Sequence, residues 1–489
     1  MITFEIYNGY TQLRGTPEQI KLIRQWCTLE YEFYGMDWST RPPRYKKQKG
    51  YVTYFTQDNE FPTGWTARYY RIITKKLNMK VKVVDKRRQP SSNPNPLPIK
   101  EGFKLRYYQE EAFKNASKVK RGILHHATGS GKTPLAGYML AKWGLKSIYV
   151  VPDRTLLNQA IGDFINDVGI PKKYIGKIGD KVYEPRQITV ATIQSLWSLY
   201  KQKEPNFMKF ISDVDVLFFD ESHHIKMDSK GQPKNTYFYL AMAIDAHYRF
   251  GLTATPGDPH SIDRRTLEGA TGRVLHHVSS SELINEGYLT KPYIWMIRCP
   301  ADRISDWKTT YDVNIVESEY RNEVISKLAH FFESKGLSVV VSVNLVQKHA
   351  EPLHIMIPGS KILTGKSDGR TQALEAFKRK EYHILITTLI KEGVNIPSMD
   401  VIINAAGGKS DKKTVQQTGR VLRTNKDKNA AILIDFFDDD EKGILIKHSR
   451  KRKRQYELEE EFEFMGIIDL EKHGFDFLKE LMEKVNNGN

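Results

Sequence analysis

The chemistry of this chain is concentrated in three short stretches. The first is His126-Ala127-Thr128-Gly129-Ser130-Gly131-Lys132-Thr133. It follows an apolar run at Gly122–Leu124 and precedes a helical pattern at Leu135–Trp143. Between a strand and a helix, glycines at 129 and 131 let backbone N–H groups wrap phosphate oxygens, as in a P-loop. On this reading Thr128, Gly129, Ser130 and Gly131 cradle the phosphates of ATP. Lys132 brings a point charge to the β- and γ-phosphates, and the Thr133 hydroxyl is placed for Mg²⁺. His126 stands at the first loop position, where the strict pattern has glycine.

The second stretch is Val216-Leu217-Phe218-Phe219-Asp220-Glu221-Ser222-His223. Four apolar residues predict a buried strand, and two carboxylates close it, at the end where open α/β sheets hold ligands. Asp220 would reach Mg²⁺, and Glu221 would orient and deprotonate an attacking water. An acidic pair after a strand can equally cap a helix; the upstream P-loop favours the catalytic reading. The third stretch is Gln416-Gln417-Thr418-Gly419-Arg420-Val421-Leu422-Arg423. Arg420 and Arg423 are three apart, so on a helix they share a face. Two guanidiniums so placed can stabilise a transferring phosphoryl group, or be ordinary surface charges.

Elements able to position these groups are legible around them. After residue 100, short Val/Ile/Leu/Phe runs alternate with helical patterns. One set is Gly122–Leu124, Ser147–Val151, Ile188–Ala191, Val214–Phe219 and Arg249–Leu252; the other is Ser338–Val343, Lys361–Leu363, His383–Ile386, Val401–Asn404 and Ala431–Ile434. Continuous apolar runs suit strands covered on both faces, which predicts two tandem doubly wound α/β domains with parallel sheets. The expected bounds are 101–290 and 291–446. Before them, residues 1–88 predict a small α+β domain. It has strands at Ile2–Ile6, Tyr51–Phe55 and Lys80–Val84, a capped helix from Thr16-Pro17, and a second helix over Thr63–Leu77. Gln89–Lys100 carries four prolines and reads as an extended linker. Residues 447–489 read as a helical tail opening on a basic cluster, and Asp435–Glu441 as a solvated acidic loop.

Composition narrows the class. The chain has 489 residues, 40% hydrophobic and 27% charged, the balance of a globular protein. No apolar run approaches the length of a membrane span, and the first residues lack a signal-peptide pattern, so a cytoplasmic protein is expected. Two cysteines, Cys27 and Cys299, exclude a disulfide framework and a four-cysteine zinc site. The adjacent histidines His125, His126, His223 and His224 lack the spacing of a zinc site. Net charge is +17, and the first 100 residues hold 18 basic against 8 acidic side chains. Clustered positive charge is the footprint of a polyanion-binding surface, or else a device for solubility. Arg44, Lys46 and Lys47 lead the candidates for phosphate contact. Tyr45, Tyr51, Tyr54, Trp65, Tyr69 and Tyr70 lie among the cations; they either build the small core or stack on bases.

Together these segments resemble the superfamily 2 helicases and translocases. Leu105-Arg106-Tyr107-Tyr108-Gln109 resembles the adenine-reading segment, Pro152–Gln159 and Thr192–Ser195 resemble strand-contacting motifs, and Thr253-Ala254-Thr255-Pro256 resembles the motif that links hydrolysis to domain movement. Asp220–His223 matches the DExH form, and Thr388 with Gly393–Pro397 resembles motif V, with Asn395 where many relatives have Asp. The whole order is similar to the branch-migration helicases of tailed phages of the UvsW type, and the motor to the RecG and XPB relatives. The resemblance implies an ATP-dependent, DNA-stimulated helicase with ATP and Mg²⁺ as cofactors. Its substrate would be branched DNA, including RNA–DNA hybrids in R-loops. Arg106, Gln109, Gly393, Asn395 and Gln416 would serve the nucleotide; His223, Arg420 and Arg423 would join Lys132, Asp220 and Glu221 in catalysis. Arg154, Thr192, Gln194, Ser342, Thr364 and Thr388 would hold one strand. Movement would run 3′ to 5′, in the host cytoplasm if the chain is phage-encoded. A DExH RNA helicase, a double-stranded DNA translocase and a clamp with a silent ATP site are the alternatives. No heptad segment demands a dimer, which favours a monomer.

Overall fold

Val, Ile and Phe runs that would be costly to expose form the central strands of the two large sheets. The computed structural model describes residues 1–37, 39, 41, 44–90, 94–227, 236–365, 367, 369–392, 396, 399–408 and 431–487. The chain divides into two compact units: Met1–His126 with Gly131–Val278, and Ala127–Ser130 with Ser279–Asn489.

The first unit contains the head and the first large sheet. In the head, β1 (Ile2–Ile6), β2 (Tyr10–Arg14), β5 (Glu60–Pro62) and β6 (Val81–Asp85) form one sheet in the order β5-β2-β1-β6. A separate hairpin pairs β3 (Leu29–Asp37) with β4 (Arg44–Val52). The helix Pro17–Cys27 starts as its sequence predicts, with proline in the first turn and a Thr16/Gln19 capping box. The expected second helix over Thr63–Leu77 is a chain of three shorter turns, Thr63–Trp65, Thr66–Arg71 and the wider turn Ile72–Lys76.

The head is docked, not tethered. Tyr54 and Trp65 are buried and stack at 4.8 Å. Both bond the helix Ile262–Ala270 of the large domain: the Tyr54 hydroxyl pairs with Thr266 Oγ1 at 2.7 Å, and Trp65 Nε1 donates to the Arg265 carbonyl at 3.2 Å. Gly64 makes the approach possible, since a Cβ there would lie 2.0 Å from the Glu268 carbonyl oxygen. At the other edge Arg88 pairs with Asp215 at 2.7 Å, and Asn8 Nδ2 donates to Asp245 at 2.9 Å. One apolar core runs through both parts. The proline-rich segment also lies on the large domain: the N–H groups of Asn95, Leu97 and Lys100 donate to the carbonyls of Gly144, Ala141 and Val168.

The large sheet of this unit contains β7 (Arg121–His126), β8 (Ser147–Val151), β9 (Ile175–Gly179), β10 (Val182–Glu184), β11 (Ile188–Thr192), β12 (Val216–Phe219), β13 (Tyr248–Thr253) and β14 (Val274–Val278). Their order is β10-β9-β11-β8-β12-β13-β7-β14, parallel except for the β9–β10 pair. The five runs expected here are all strands.

The second unit is a seven-stranded parallel sheet. Its strands are β15 (Tyr293–Pro300), β16 (Val339–Ser342), β17 (Lys361–Leu363), β18 (Ile384–Thr387), β19 (Val401–Ile403), β20 (Ile432–Asp439) and β21 (Glu463–Ile468), in the order β17-β18-β16-β19-β20-β15-β21. The acidic run is not the solvated loop expected for Asp435–Glu441. Asp435 through Asp439 continue β20, and Asp435, Asp438 and Asp440 are buried. Burial is tolerated because each carboxylate is met. Arg452 bonds Asp435 at 2.8 Å, Arg321 pairs with Asp438, and Asp440 accepts from the Leu445 and Ile446 N–H groups. Arg452 comes from the basic cluster after residue 446; its helix, Ile444–Glu457, packs on this sheet, and β21 extends it. The architecture is therefore an N-terminal α+β domain followed by two RecA-like α/β domains. No helix among the described residues is long and apolar enough to cross a membrane.

Candidate functional site

The carboxyl ends of β7, β8 and β12 carry the groups expected to handle a nucleotide. From β7 the chain turns through residues 127–131 into the helix Lys132–Trp143. Gly129 and Gly131 have φ of 85° and 75°, left-handed values that glycine adopts without strain. A Cβ on Gly131 would lie 2.8 Å from Gln109 Nε2. Lys132 Nζ donates to the His126 carbonyl at 3.1 Å, and Thr133 occupies the first turn of the helix. Thr128 is half-buried and Ser130 buried.

Gln109 braces this turn. Its Oε1 accepts from the Arg106 N–H at 3.0 Å, closing the cap of the helix Tyr107–Val119, and its Nε2 donates to the Gly131 carbonyl at 3.3 Å. The side chain expected to read adenine is thus built into the loop's support. Arg106 donates to the Tyr108 hydroxyl at 2.9 Å.

Asp220 and Glu221 follow β12. Asp220 is buried, and its Oδ1 accepts from the Glu221 N–H at 2.9 Å. Burial first, then the neighbouring Glu221 charge, pushes the Asp220 carboxyl up, while Lys132 pulls it back. Glu221 sits at φ 45°, a strained value for a non-glycine residue at a site of this kind. His223 Nδ1 lies 3.2 Å from Glu221 Oε2 and 3.1 Å from Thr253 Oγ1, and Thr253 Oγ1 accepts from the Thr255 N–H at 3.0 Å. His223 therefore joins the acidic pair to the Thr253–Pro256 segment.

Sequence reasoning missed Tyr149. It lies on β8, fully buried, with its ring packed on Phe164 and Phe218. Its hydroxyl faces Asp220 and Thr133 without reaching good hydrogen-bond geometry to either. Burial and the Asp220 charge push this phenol well up, so it stays protonated and can only donate toward the carboxylate. The only signal in the sequence was a tyrosine inside an otherwise aliphatic strand.

These residues fit a magnesium nucleotide. An all-oxygen set, Thr133 and Asp220 with Tyr149 behind, suits Mg²⁺. The buried Asp220 carboxylate, opposed by Glu221, is the kind of group that a divalent cation stabilises.

The residues expected to grip a strand lie at the ends of neighbouring parallel strands. Arg154 opens the helix Arg154–Gly162, is exposed, and lies 3.4 Å from Asp180. Thr192 caps the helix Ile193–Lys201 through Ser195, and Gln194 Nε2 donates to the Pro152 carbonyl at 2.7 Å. In the second unit Ser342 ends β16, Thr364 follows β17 with its N–H donating to Ser367 Oγ at 2.9 Å, and Thr388 follows β18. Gly393, Asn395, Gln416, Arg420 and Arg423 lie outside the described residues. In the head, the backbone of Arg44 lies in β4 but its side chain is outside the description. Lys46 and Lys47 are paired with Asp37 at 2.5 Å and Glu32 at 2.6 Å. Lys49 pairs with Glu30 at 2.8 Å, so a row of cations in the sequence becomes a row of ion pairs on the hairpin.

Comparison with known proteins defines the class. The model described as type III restriction enzyme, res subunit, matches residues 102–258, and that described as helicase conserved C-terminal domain matches residues 320–425. With two RecA-like domains behind those matches, the chain is a superfamily 2 motor of the DExH type, an ATP-dependent helicase. Among individual proteins it is similar to putative helicase 22 of a Sulfolobus islandicus filamentous virus, 25% identical over 96% of this chain and 84% of that one. It is similar to the DNA 3'-5' translocase XPB2 of Sulfurisphaera tokodaii, 26% identical over 74% and 86%. The ATP-dependent DNA helicase uvsW of Enterobacteria phage T4 is 24% identical over 78% and 76%. Two solved structures share the fold. Dbp5 of S. cerevisiae, bound to RNA and ADP BeF3, has a TM-score of 0.55 at 16% identity, covering 78% of this chain and 93% of that one. An HsdR fragment of a type I restriction enzyme from Vibrio vulnificus YJ016 has 0.55 at 18%, covering 86% and 76%.

Proposed function

We propose that this protein is an ATP-driven motor that acts on DNA and remodels branched DNA, moving junctions and regressing forks. The observation that carries the motor reading is the convergence, within one unit, of Lys132, Thr133, Asp220 and Glu221 on the carboxyl edge of a parallel sheet. The relatives named as DNA helicases and translocases support DNA as the track. A small domain ahead of two motor domains, the order in which this chain resembles the branch-migration helicases, supports branched substrates.

In this reading the loop amides and Lys132 hold the β- and γ-phosphates, and Gln109 keeps the loop in shape. Thr133 and Asp220 would hold Mg²⁺, which supplies charge to the phosphate oxygens when bound. Glu221 accepts the proton of the attacking water, and His223 orients Glu221 and relays its state to Thr253. Arg420 and Arg423 supply further positive charge to the transferring phosphoryl group. Strand contacts at Arg154, Thr192, Gln194, Ser342, Thr364 and Thr388 engage phosphates, which read no sequence and so suit a moving motor. The head, docked on the first large domain, presents a fixed surface and not a swinging one.

The test is ATP hydrolysis with no nucleic acid, then with single-stranded DNA, duplex, fork, four-way junction and RNA. Greatest stimulation by the fork and the junction supports branched-DNA remodelling. Greatest stimulation by RNA overturns it in favour of an RNA helicase, and equal stimulation by plain duplex favours a double-strand translocase.

A further inference from the structure

Three aromatic rings lie in a row on the first large domain, where Trp197 and Tyr200 pack on the margin of its apolar core and Tyr239 reaches the surface. Trp197 sits between Tyr200 and Tyr239, with ring centres 5.8 Å apart on both sides and planes tilted by 23° and 27°. Tyr239 is 40% exposed; Trp197 and Tyr200 are half-buried. Neither the indole N–H nor either phenol hydrogen-bonds within the described residues. Rings packed for stability alone usually bury their faces and satisfy their polar tips; these keep polar tips free and one ring open.

Charge narrows what the row accepts. The rings come from the helices Ile193–Lys201 and Thr236–Ala243, and neither helix carries an acidic residue. A cation lies beside the row: Lys201 Nζ is 5.8 Å from the Trp197 ring centre. Flat π-faces beside an ammonium suit a planar base on a phosphate backbone. The location agrees. Thr192 caps the same helix at its start, and Trp197 follows five residues later, about 7 Å along the axis. A strand held at Thr192 and Gln194 has its bases within reach of the row.

The second helix also faces the acidic pair. Tyr237, two residues before Tyr239 and so on nearly the opposite side, stacks on His224 at 5.6 Å and 19°, and His224 lies 4.5 Å from His223. One short helix thus carries a ring of the row on one side and on the other touches His224, the neighbour of His223.

We infer that Tyr239, Trp197 and Tyr200 form a stacking platform for unpaired bases of single-stranded DNA beside the strand-gripping edge. The inference rests on the motor reading and adds a site for bases to contacts that otherwise engage phosphates only. The experiment compares binding of labelled oligo-dT with an abasic strand of the same length, which keeps the phosphates and lacks the bases. The parent should bind oligo-dT more tightly. Trp197→Ala should weaken oligo-dT binding by roughly 5- to 150-fold, the range for loss of one stacking partner, and leave abasic binding near the parent value. Trp197→Phe should restore most of the preference. Tyr239→Ala, at the most exposed ring, should lower the same ratio without opening the core. A parent that binds strands, with the preference for bases intact in both alanine variants, overturns the platform and leaves the motor reading standing. A parent that binds neither strand overturns both.

Discussion

Replacing Trp65 with alanine tests whether the head is an integral layer or an appendage. The indole is 2% exposed, stacks on Tyr54, lies under the Arg68 guanidinium at 5.0 Å, and donates to the Arg265 carbonyl. Emptying a buried tryptophan site costs about 3–5 kcal/mol. At Gly64 the two backbones are already in contact, so the gap cannot be filled by a simple shift. At about 2.1 cal/mol/K per residue, a first unit of this size has an unfolding entropy of about 0.6 kcal/mol/K, so the melting point should fall by about 5–8 °C. Calorimetry on the parent should show head and first large domain melting together, and Trp65→Ala should move that transition as one. A separate, low-temperature head transition in the parent, or an unmoved transition in the variant, would refute the docked-head account. Removal of residues 1–88 is accordingly a poor probe of DNA binding, because it would bare the Ile262–Ala270 helix and its apolar surroundings.

Glu221→Gln should lower ATP turnover by about 10²–10⁴-fold, the usual worth of a general base, while nucleotide still binds; steady-state kinetics beside fluorescent-nucleotide titration separate the two. Tyr149→Phe should raise the Mg²⁺ concentration needed for half-maximal nucleotide binding by about tenfold and leave binding in EDTA unchanged; identical Mg²⁺ curves would remove Tyr149 from the site. Arg452→Met should destabilise the second unit by about 3–5 kcal/mol, since it leaves buried Asp435 without its cation while Asp438 keeps Arg321, and denaturant unfolding measures this. His125 is held neutral by burial, its pKa lowered to about 4 against about 6.5 when unfolded. The unfolded chain therefore takes up the extra proton as pH falls, and stability is full above pH 6.5 and declines towards pH 4, by up to about 3 kcal/mol for this group. Melting points measured across that window should fall in the parent and fall less in His125→Gln.

The motor's sheets were legible because buried parallel strands must be written as unbroken apolar runs, and Val216–Phe219 or Ile384–Thr387 permit little else. The loop at Gly129–Lys132 was legible because its backbone requires glycine. What escaped depends on partners distant in sequence. Asp435–Asp439 reads as solvated until Arg452 and Arg321 come to meet it. Lys46 and Lys47 read as free cations until β3 brings Asp37 and Glu32 across the hairpin. Strand β14 escaped because His276 and His277 interrupt its apolar pattern, and β21 because the acidic stretch from Glu457 to Glu463 hides its start. The head's aromatics are mixed in fate: Tyr54, Trp65 and Tyr69 are core, whereas Tyr51 and Tyr70 stay exposed.

The most direct test of the central claim is ATP-dependent conversion of a mobile four-way DNA junction into its product duplexes, followed on gels beside the Lys132→Ala variant. The account predicts conversion that requires both ATP and Mg²⁺ and is lost in the variant. Conversion by the variant at the parent's rate, or none by a parent that hydrolyses ATP in the presence of the junction, would contradict it.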